Sequence, residues 1–235
     1  MVDRISNLPY SLLCHILSFL PTKHAVTTSN LSTKWKPLWT LLPILDFEDA
    51  ESHNHHDDNQ GMTFTHFVCR VLALRKPLPV KTFQLRLNNH SVVDPIHVNT
   101  WIFYAISHEV EELELVPFFI SQPFELPRSL FSCESLEVLT LNGKILLNCP
   151  PSVHLPNLEG LFLAEIKYAN DETVRRLLAG CPELVRLGIS RKEVDNLMTF
   201  NICHPTLEGF TMDNRGEDPR FKLEINAPSL QCRNI

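Results

Sequence analysis

One pattern, Leu-x-x-Leu-x-Leu with apolar exchanges, recurs from residue 80 to the end of this chain and constrains it more than any other feature. It stands at Val80/Phe83/Leu85, Val110/Leu113/Leu115, Leu136/Leu139/Leu141, Leu158/Leu161/Leu163, Leu184/Leu187/Ile189 and Leu207/Phe210/Met212, and fades at Leu230/Arg233/Ile235. Each Leu-x-Leu puts two side chains on one face of a short strand, because side chains alternate along extended backbone. A single unit of this kind cannot bury its leucines alone, so neighbouring units must stack into a solenoid with a parallel sheet.

Proline fixes the register. It stands two residues before the first leucine in Pro156-Asn-Leu158, Pro182-Glu-Leu184, Pro205-Thr-Leu207 and Pro228-Ser-Leu230. With φ fixed and no donor to offer, proline suits the corner before a strand joins its ladder. Successive third positions lie 22 to 30 residues apart, which is the step of a leucine-rich repeat (LRR) or slightly more. The returns are expected to be helical at 98–108, with Trp101, Ile102, Ala105 and Ile106 on one stripe, and at 171–179. There Asn170 or Asp171 caps the start, Val174, Leu177 and Leu178 face inward, and Gly180 closes the helix. The fold class is α/β.

The first fifty residues carry a helical period instead. Pro9 suits a first helical turn, and Leu12, Leu13, Ile16, Leu17 and Leu20 form two adjoining apolar stripes. Pro21 stops that helix and Thr22 can cap a second, with Ala25 and Val26. A third segment places Leu31, Trp35, Leu38 and Leu42 at helical intervals, with Pro37 starting or kinking its last part. Three short helices are too small to bury so many large side chains. Either this module packs on the repeats or it offers an apolar face to a partner.

Composition narrows the function. With 21 basic and 27 acidic residues the net charge is −6, which leaves no basic footprint for nucleic acid or anionic lipid. No apolar run reaches the length of a membrane span, and the N-terminus, with Asp3 and Arg4, lacks a signal-peptide layout. The seven cysteines are odd in number with no Cys-x-x-Cys pair, as in a reduced, intracellular protein, cytoplasmic or nuclear. The crowd His53, His55, His56, Asp57 and Asp58 lacks the spacing and apolar flanks of a metal site and reads as a solvated linker over 50–62. His108-Glu109 has no second histidine at zincin spacing, and Gly143-Lys144 has no earlier phosphate-loop glycine. No catalytic residue, metal or cofactor is therefore expected.

The run Leu8-Pro9, Leu12-Leu13, Ile16-Leu17-Ser18-Phe19-Leu20-Pro21-Thr22-Lys23, Ala25-Val26, Thr28-Ser29, Leu31-Ser32, Lys34-Trp35 and Leu38-Trp39 resembles an F-box, and with the repeats behind it the plant F-box/LRR type. His24, often acidic in that family, and Pro37 depart from its pattern without removing an apolar contact. The resemblance implies a non-catalytic adaptor of a Skp–cullin–F-box ubiquitin ligase. It would bind a Skp-family subunit, and through it a cullin, by Leu8, Pro9, Leu12, Leu13, Ile16, Leu20 and Pro21. The alternative is an LRR interaction scaffold without a ligase role. The expected organisation is an F-box over 1–48, a linker and connecting helix over 49–79, and about six and a half repeats over 80–235, incomplete at the C-terminus. A protein substrate is expected on the concave face, where Arg86, Glu114, Asn142, Phe162, Arg186 and Asp213 lie between the inward leucines, with Phe162 as the aromatic anchor.

Overall fold

Alternation of large apolar and small or polar residues makes one strand in every repeat, and stacking of those strands makes the sheet. In a computed structural model, residues 5–49, 60–88, 91, 93–117, 123–191, 197, 199–215 and 221–234 are described. The helices are α1 (Tyr10–Leu17), α2 (Thr22–Thr27), α3 (Gln60–Leu74), α4 (Pro95–Ser107) and α5 (Asp171–Ala179). The early strands are β1 (Ile44–Glu48), β2 (Thr82–Arg86), β3 (Glu112–Val116), β4 (Phe124–Glu125), β5 (Val138–Asn142), β6 (Ile145–Leu147) and β7 (Gly160–Ala164). The later ones are β8 (Lys167–Tyr168), β9 (Arg186–Arg191), β10 (Thr199–Cys203), β11 (Gly209–Asn214), β12 (Lys222–Asn226) and β13 (Cys232–Asn234).

The main sheet has eight parallel strands in the order β1-β2-β3-β5-β7-β9-β11-β13, and smaller sheets, β4-β6-β8 and β10-β12, form the return side. Between these layers lies one continuous core, from Leu45 and Phe47 through Phe83, Leu115, Leu141 and Leu163 to Phe210 and Met212. Helices fill the returns where the sequence supplies caps. Asp94 Oδ1 accepts from the Ile96 N–H at 2.9 Å with Pro95 in the first turn, and Asn170 Oδ1 accepts from the Thr173 N–H at 3.0 Å. On α5, Val174, Leu177 and Leu178 are buried as expected. Gly180 does follow α5, but with φ −85°. Its constraint is packing rather than handedness, because a Cβ there would lie 2.5 Å from Val153 Cγ1. The glycine with a positive φ among the described residues is Gly143, φ +106°, between β5 and β6.

The repeats begin earlier than residue 80. Strand β1, inside the segment expected to be F-box alone, pairs in register with β2 from Ile44↔Thr82 to Glu48↔Arg86. Leu42-x-x-Leu45-x-Phe47 is the repeat motif itself, with all three side chains buried. Of the expected linker over 50–62, residues 50–59 lie outside the described residues, and 60–62 already belong to α3. Leu31 to Leu42 forms turns and a 3-10 segment at Leu38–Leu41, which starts after Pro37, rather than a third α-helix.

The helical module and the repeats are joined at more than the chain. The Asp46 N–H donates to Thr22 Oγ1 at 2.8 Å. Arg75, just beyond α3 and buried, spreads its guanidinium over the carbonyls of Leu42 (3.2 and 3.1 Å), Leu78 (2.6 Å) and Pro79 (2.7 Å). Trp39 packs against both the small N-terminal core and the repeat core. Among the described residues no helix is long and apolar enough to cross a membrane.

Candidate functional site

Two surfaces carry unpartnered chemistry. The first is the outer face of the N-terminal module. Leu13 and Leu17 turn inward with Ala25, Trp35, Leu38 and Leu42 and make a small core. The other stripe of α1 stays outside: Leu12 is 47% exposed, Ile16 42% and Leu20 36%, with Tyr10 and Phe19 beside them. Helical geometry explains the split, since residues four apart share a face. The expectation that Leu13 lies on the binding face is corrected here, for it is fully buried. Pro9 is exposed, and Leu8 and Pro21 are half-buried. Leu8 packs on the module's core, and its carbonyl accepts from Lys34 Nζ at 2.9 Å; the Ser6 carbonyl accepts from the same ammonium. Trp35 Nε1 donates to Ser6 Oγ at 2.9 Å. Lys34 and Trp35 thereby fasten the segment that leads into Pro9. The carbonyl of Pro21 accepts from the His24 and Ala25 N–H groups and starts α2.

The second surface is the concave face of the main sheet, built from the residues that alternate with the buried ones. Parallel in-register pairing arranges them in rows. One runs Asp46, Gln84, Glu114, Thr140, Phe162, Gly188, Thr211, and beside it runs Glu48, Arg86, Val116 and, from β5 onward, Asn142, Ala164, Ser190, Asp213. All six expected residues of this face lie on it. Arg86 and Glu114 meet in a forked pair, Nε to Oε1 at 2.9 Å and Nη2 to Oε2 at 3.0 Å, while Nη1 reaches Asp46 Oδ1 at 3.0 Å and Nη2 reaches Gln84 Oε1 at 3.1 Å. This guanidinium is already committed within the sheet, so Arg86 and Glu114 form a structural bridge before any partner arrives. The pair holds Arg86 protonated above the ordinary arginine range, chiefly through the hydrogen bond to Glu114. Burial raises the Asp46 carboxyl, with Arg86 pulling the other way.

Phe162 is half-buried on this face, and the two glycines around it explain how it sits. A Cβ on Gly188 would come 2.7 Å from Phe162 Cδ1, and one on Gly160 would come 3.3 Å from Cε2. The ring therefore lies low over main chain that carries no side chain. Arg186 is exposed on the next strand, in register with Gly160 and Gly209. Asp213 pairs at 3.2 Å with Arg215, the residue just beyond its strand. Asn142 stands beside Ala164. The sequence reading missed Asp46 and Glu48 because it began the repeats one strand late, although the motif at Leu42, Leu45 and Phe47 marks them.

Among the described residues no three His, Cys, Asp or Glu side chains are grouped to hold a metal. The crowded histidines at 53–56 lie outside the described residues. A depression of about 350 Å³ at the seam of module and repeats is lined by Val26, Ser29, Trp39, Phe67, Arg70, Val71 and Leu74. It offers no carboxylate, imidazole or thiol, and the Ser29 hydroxyl is spent on the Val26 carbonyl.

Comparison with known proteins bears on both surfaces. Residues 5–47 match the family model of the F-box domain. Residues 98–232 match that of the LRR repeats of FBD-associated F-box protein At5g56370. The chain is 38% identical over 235 residues to F-box/LRR-repeat protein At3g26922 of Arabidopsis thaliana, covering 99% of this chain and 74% of that protein. It is 36% identical over 233 residues to F-box/FBD/LRR-repeat protein At4g00160 of the same plant, covering 97% of this chain and 50% of that protein. A third relative, F-box/FBD/LRR-repeat protein At2g04230, is 37% identical over 239 residues, with 99% and 53% covered. The chain thus spans about half the length of several curated relatives it matches. No solved structure matches it.

Proposed function

Because this chain belongs to the F-box/LRR-repeat family, we propose that it is the substrate-recognition subunit of a Skp–cullin–F-box ubiquitin ligase. The observation that carries this reading is the two-sided α1. Leu13 and Leu17 complete the module's own core, and yet Pro9, Leu12, Ile16 and Leu20 remain outside as an apolar stripe that no described residue covers. Such a stripe is costly to leave in water and suits the groove of a partner helix. In this reading the Skp-family subunit covers the stripe and connects the chain to a cullin. The concave face, with Phe162, Arg186, Asn142 and Asp213, takes a protein to be modified.

The chain then contributes proximity rather than chemistry. It holds a substrate lysine close to a charged conjugating enzyme supplied by other subunits, which raises the effective concentration of the reacting pair. Such work calls for neither metal nor cofactor, and it belongs inside the cell, where the seven unbridged cysteines fit. The test is co-purification of the whole chain with a plant Skp-family subunit. Wild type should form a stoichiometric complex and Ile16→Asp should not, although both fold. A wild-type chain that remains alone removes the ligase reading and leaves an LRR scaffold.

A further inference from the structure

Resting on the reading that a Skp-family subunit covers the outer stripe of α1, we propose that Lys34 is a positioning residue for that contact. It holds residues 5–10 in the shape in which Pro9 meets the partner. Pro9 shares the outer face of α1 with Leu12, Ile16 and Leu20, which follow it at helical intervals. Its φ of −56° and ψ of 149° are those of extended, polyproline-like backbone, so it is the corner where the incoming chain turns into the helix. The Pro9 carbonyl is tied into α1 by the Leu13 N–H at 3.1 Å. On its other side Pro9 has no N–H to give, so its neighbours must hold it.

Lys34 supplies that hold from the far end of the module. Its ammonium has three donors and no acceptor. It donates to the Leu8 carbonyl at 2.9 Å and to the Ser6 carbonyl, and the Tyr10 ring centroid lies 5.3 Å from Nζ. One side chain thus grips the residue before Pro9 and the residue after it, the latter through the attraction of a cation for an aromatic face. The Leu8 N–H closes the same segment onto the Ile5 carbonyl at 3.0 Å. Residues 5–45 contain no aspartate or glutamate, so within the module no carboxylate competes for the ammonium. Trp35, the next residue, is buried in the small core and donates from Nε1 to Ser6 Oγ at 2.9 Å. The position of the core is therefore passed to Pro9 through Lys34.

The consequence falls on association rather than on folding. The small core consists of Leu13, Leu17, Ala25, Trp35, Leu38 and Leu42, and Lys34 is not among them. Without the ammonium that core still forms, while the segment ahead of Pro9 loses two charge-assisted hydrogen bonds and samples many shapes. A partner must then order the segment as it binds, which lowers the affinity.

The experiment titrates the whole chain with a purified plant Skp-family subunit by calorimetry and follows amide hydrogen exchange of the chain before and after binding. Lys34→Met keeps the hydrocarbon stem and removes the ammonium, and it should bind about tenfold more weakly. Lys34→Arg keeps a cation with donors and should stay within about threefold of wild type. Lys36→Met, which removes an exposed lysine two residues on, should bind as wild type does. In the free chain Lys34→Met should exchange faster over residues 6–10, with Leu17 and Ala25 protected as in wild type. In the complex the two chains should be protected alike. Wild-type affinity in Lys34→Met, equal weakness in Lys34→Arg, equal loss in Lys36→Met, or faster exchange at Leu17 and Ala25 would each overturn the proposal. A wild-type chain that binds no Skp-family subunit removes the adaptor reading itself, and the positioning role with it.

Discussion

The Thr22 hydroxyl accepts the backbone N–H of Asp46 at 2.8 Å, so the first turn of α2 is hydrogen-bonded to the first strand of the repeat sheet. The F-box and the solenoid consequently share a strand's worth of structure. Thr22→Val keeps the shape and removes the acceptor, which should cost about 1 kcal/mol in chemical denaturation. A chain starting at residue 50 loses β1 and bares the β2 edge, and it should aggregate where one starting at residue 42 stays soluble. Equal solubility of the two would show that β1 is dispensable.

Neighbouring residues on α1 should behave oppositely. Leu13→Ala opens the small core and should destabilise the module by about 2–5 kcal/mol. Ile16→Asp changes an exposed position, so melting should be almost unaffected while capture of the Skp-family subunit is lost. Loss of capture in Leu13→Ala alone would place the docking face elsewhere.

Arg86 bridges Asp46 and Glu114 across three strands. Arg86→Met leaves two carboxylates facing each other across apolar surface. Since the cluster is partly solvated, the expected loss is about 1–2 kcal/mol rather than that of a deeply buried pair. Burial raises the Asp46 carboxyl, so the folded chain holds that proton more tightly than the unfolded chain does. Its contribution to stability is then full below the ordinary aspartate value and is lost as pH rises through the raised one. Denaturation at a series of mildly acidic pH values should show wild type declining with rising pH relative to Asp46→Asn. Parallel curves would count against this.

Phe162→Ala should abolish substrate capture with the Skp-family subunit still bound. Gly188→Ala reaches the same ring from beneath, because the new methyl group would sit 2.7 Å from Phe162 Cδ1 and lift it. Both variants should therefore lower capture. Recovery of the same substrates by wild type and Phe162→Ala would move the anchor off this residue.

Thiol reactivity should divide by depth. Cys69, Cys203 and Cys232 are exposed, whereas Cys133, Cys149 and Cys181 are buried. Burial pushes the Cys149 and Cys181 thiols up to about 12, against a lowering influence of Arg176 on Cys149. Alkylation at mildly alkaline pH, read by peptide mass spectrometry, should mark the exposed three and reach Cys149 and Cys181 only after denaturation. Early labelling of Cys181 would mean that α5 opens.

The repeat sheet was legible because its strands recur with the same leucine spacing, and the last four motifs announce themselves a second time by the proline before them. The first strand escaped because Leu38 and Leu42 also satisfy a helical interval, and a four-residue spacing cannot by itself tell a 3-10 turn leading into a strand from a helix. On α1 the double stripe was plain, but its assignment was not. Which stripe faces inward depends on where Trp35 and Leu38 return, a non-local fact that placed Leu13 inside. Arg75 gave no signal at all: a lone arginine after a helix reads as solvated, and only the chain path brings the carbonyls of Leu42, Leu78 and Pro79 around it. On the concave face the strand positions were readable. The pairing of Arg86 with Glu114 required the register, and the low seat of Phe162 required knowing that Gly188 lies directly opposite.

The in-register pairing of β1 to β13 also separates two kinds of inheritance. The returns between strands can lengthen or shorten, as the unequal repeat steps do here, without moving any strand residue from its row. A single insertion within a strand would exchange the leucine face for the open one. The concave surface is thus a lattice of addresses fixed by the main chain and occupied by side chains the core never consults. Duplicated genes built on this plan can rewrite those addresses one at a time, keeping the scaffold and changing only what it recognises.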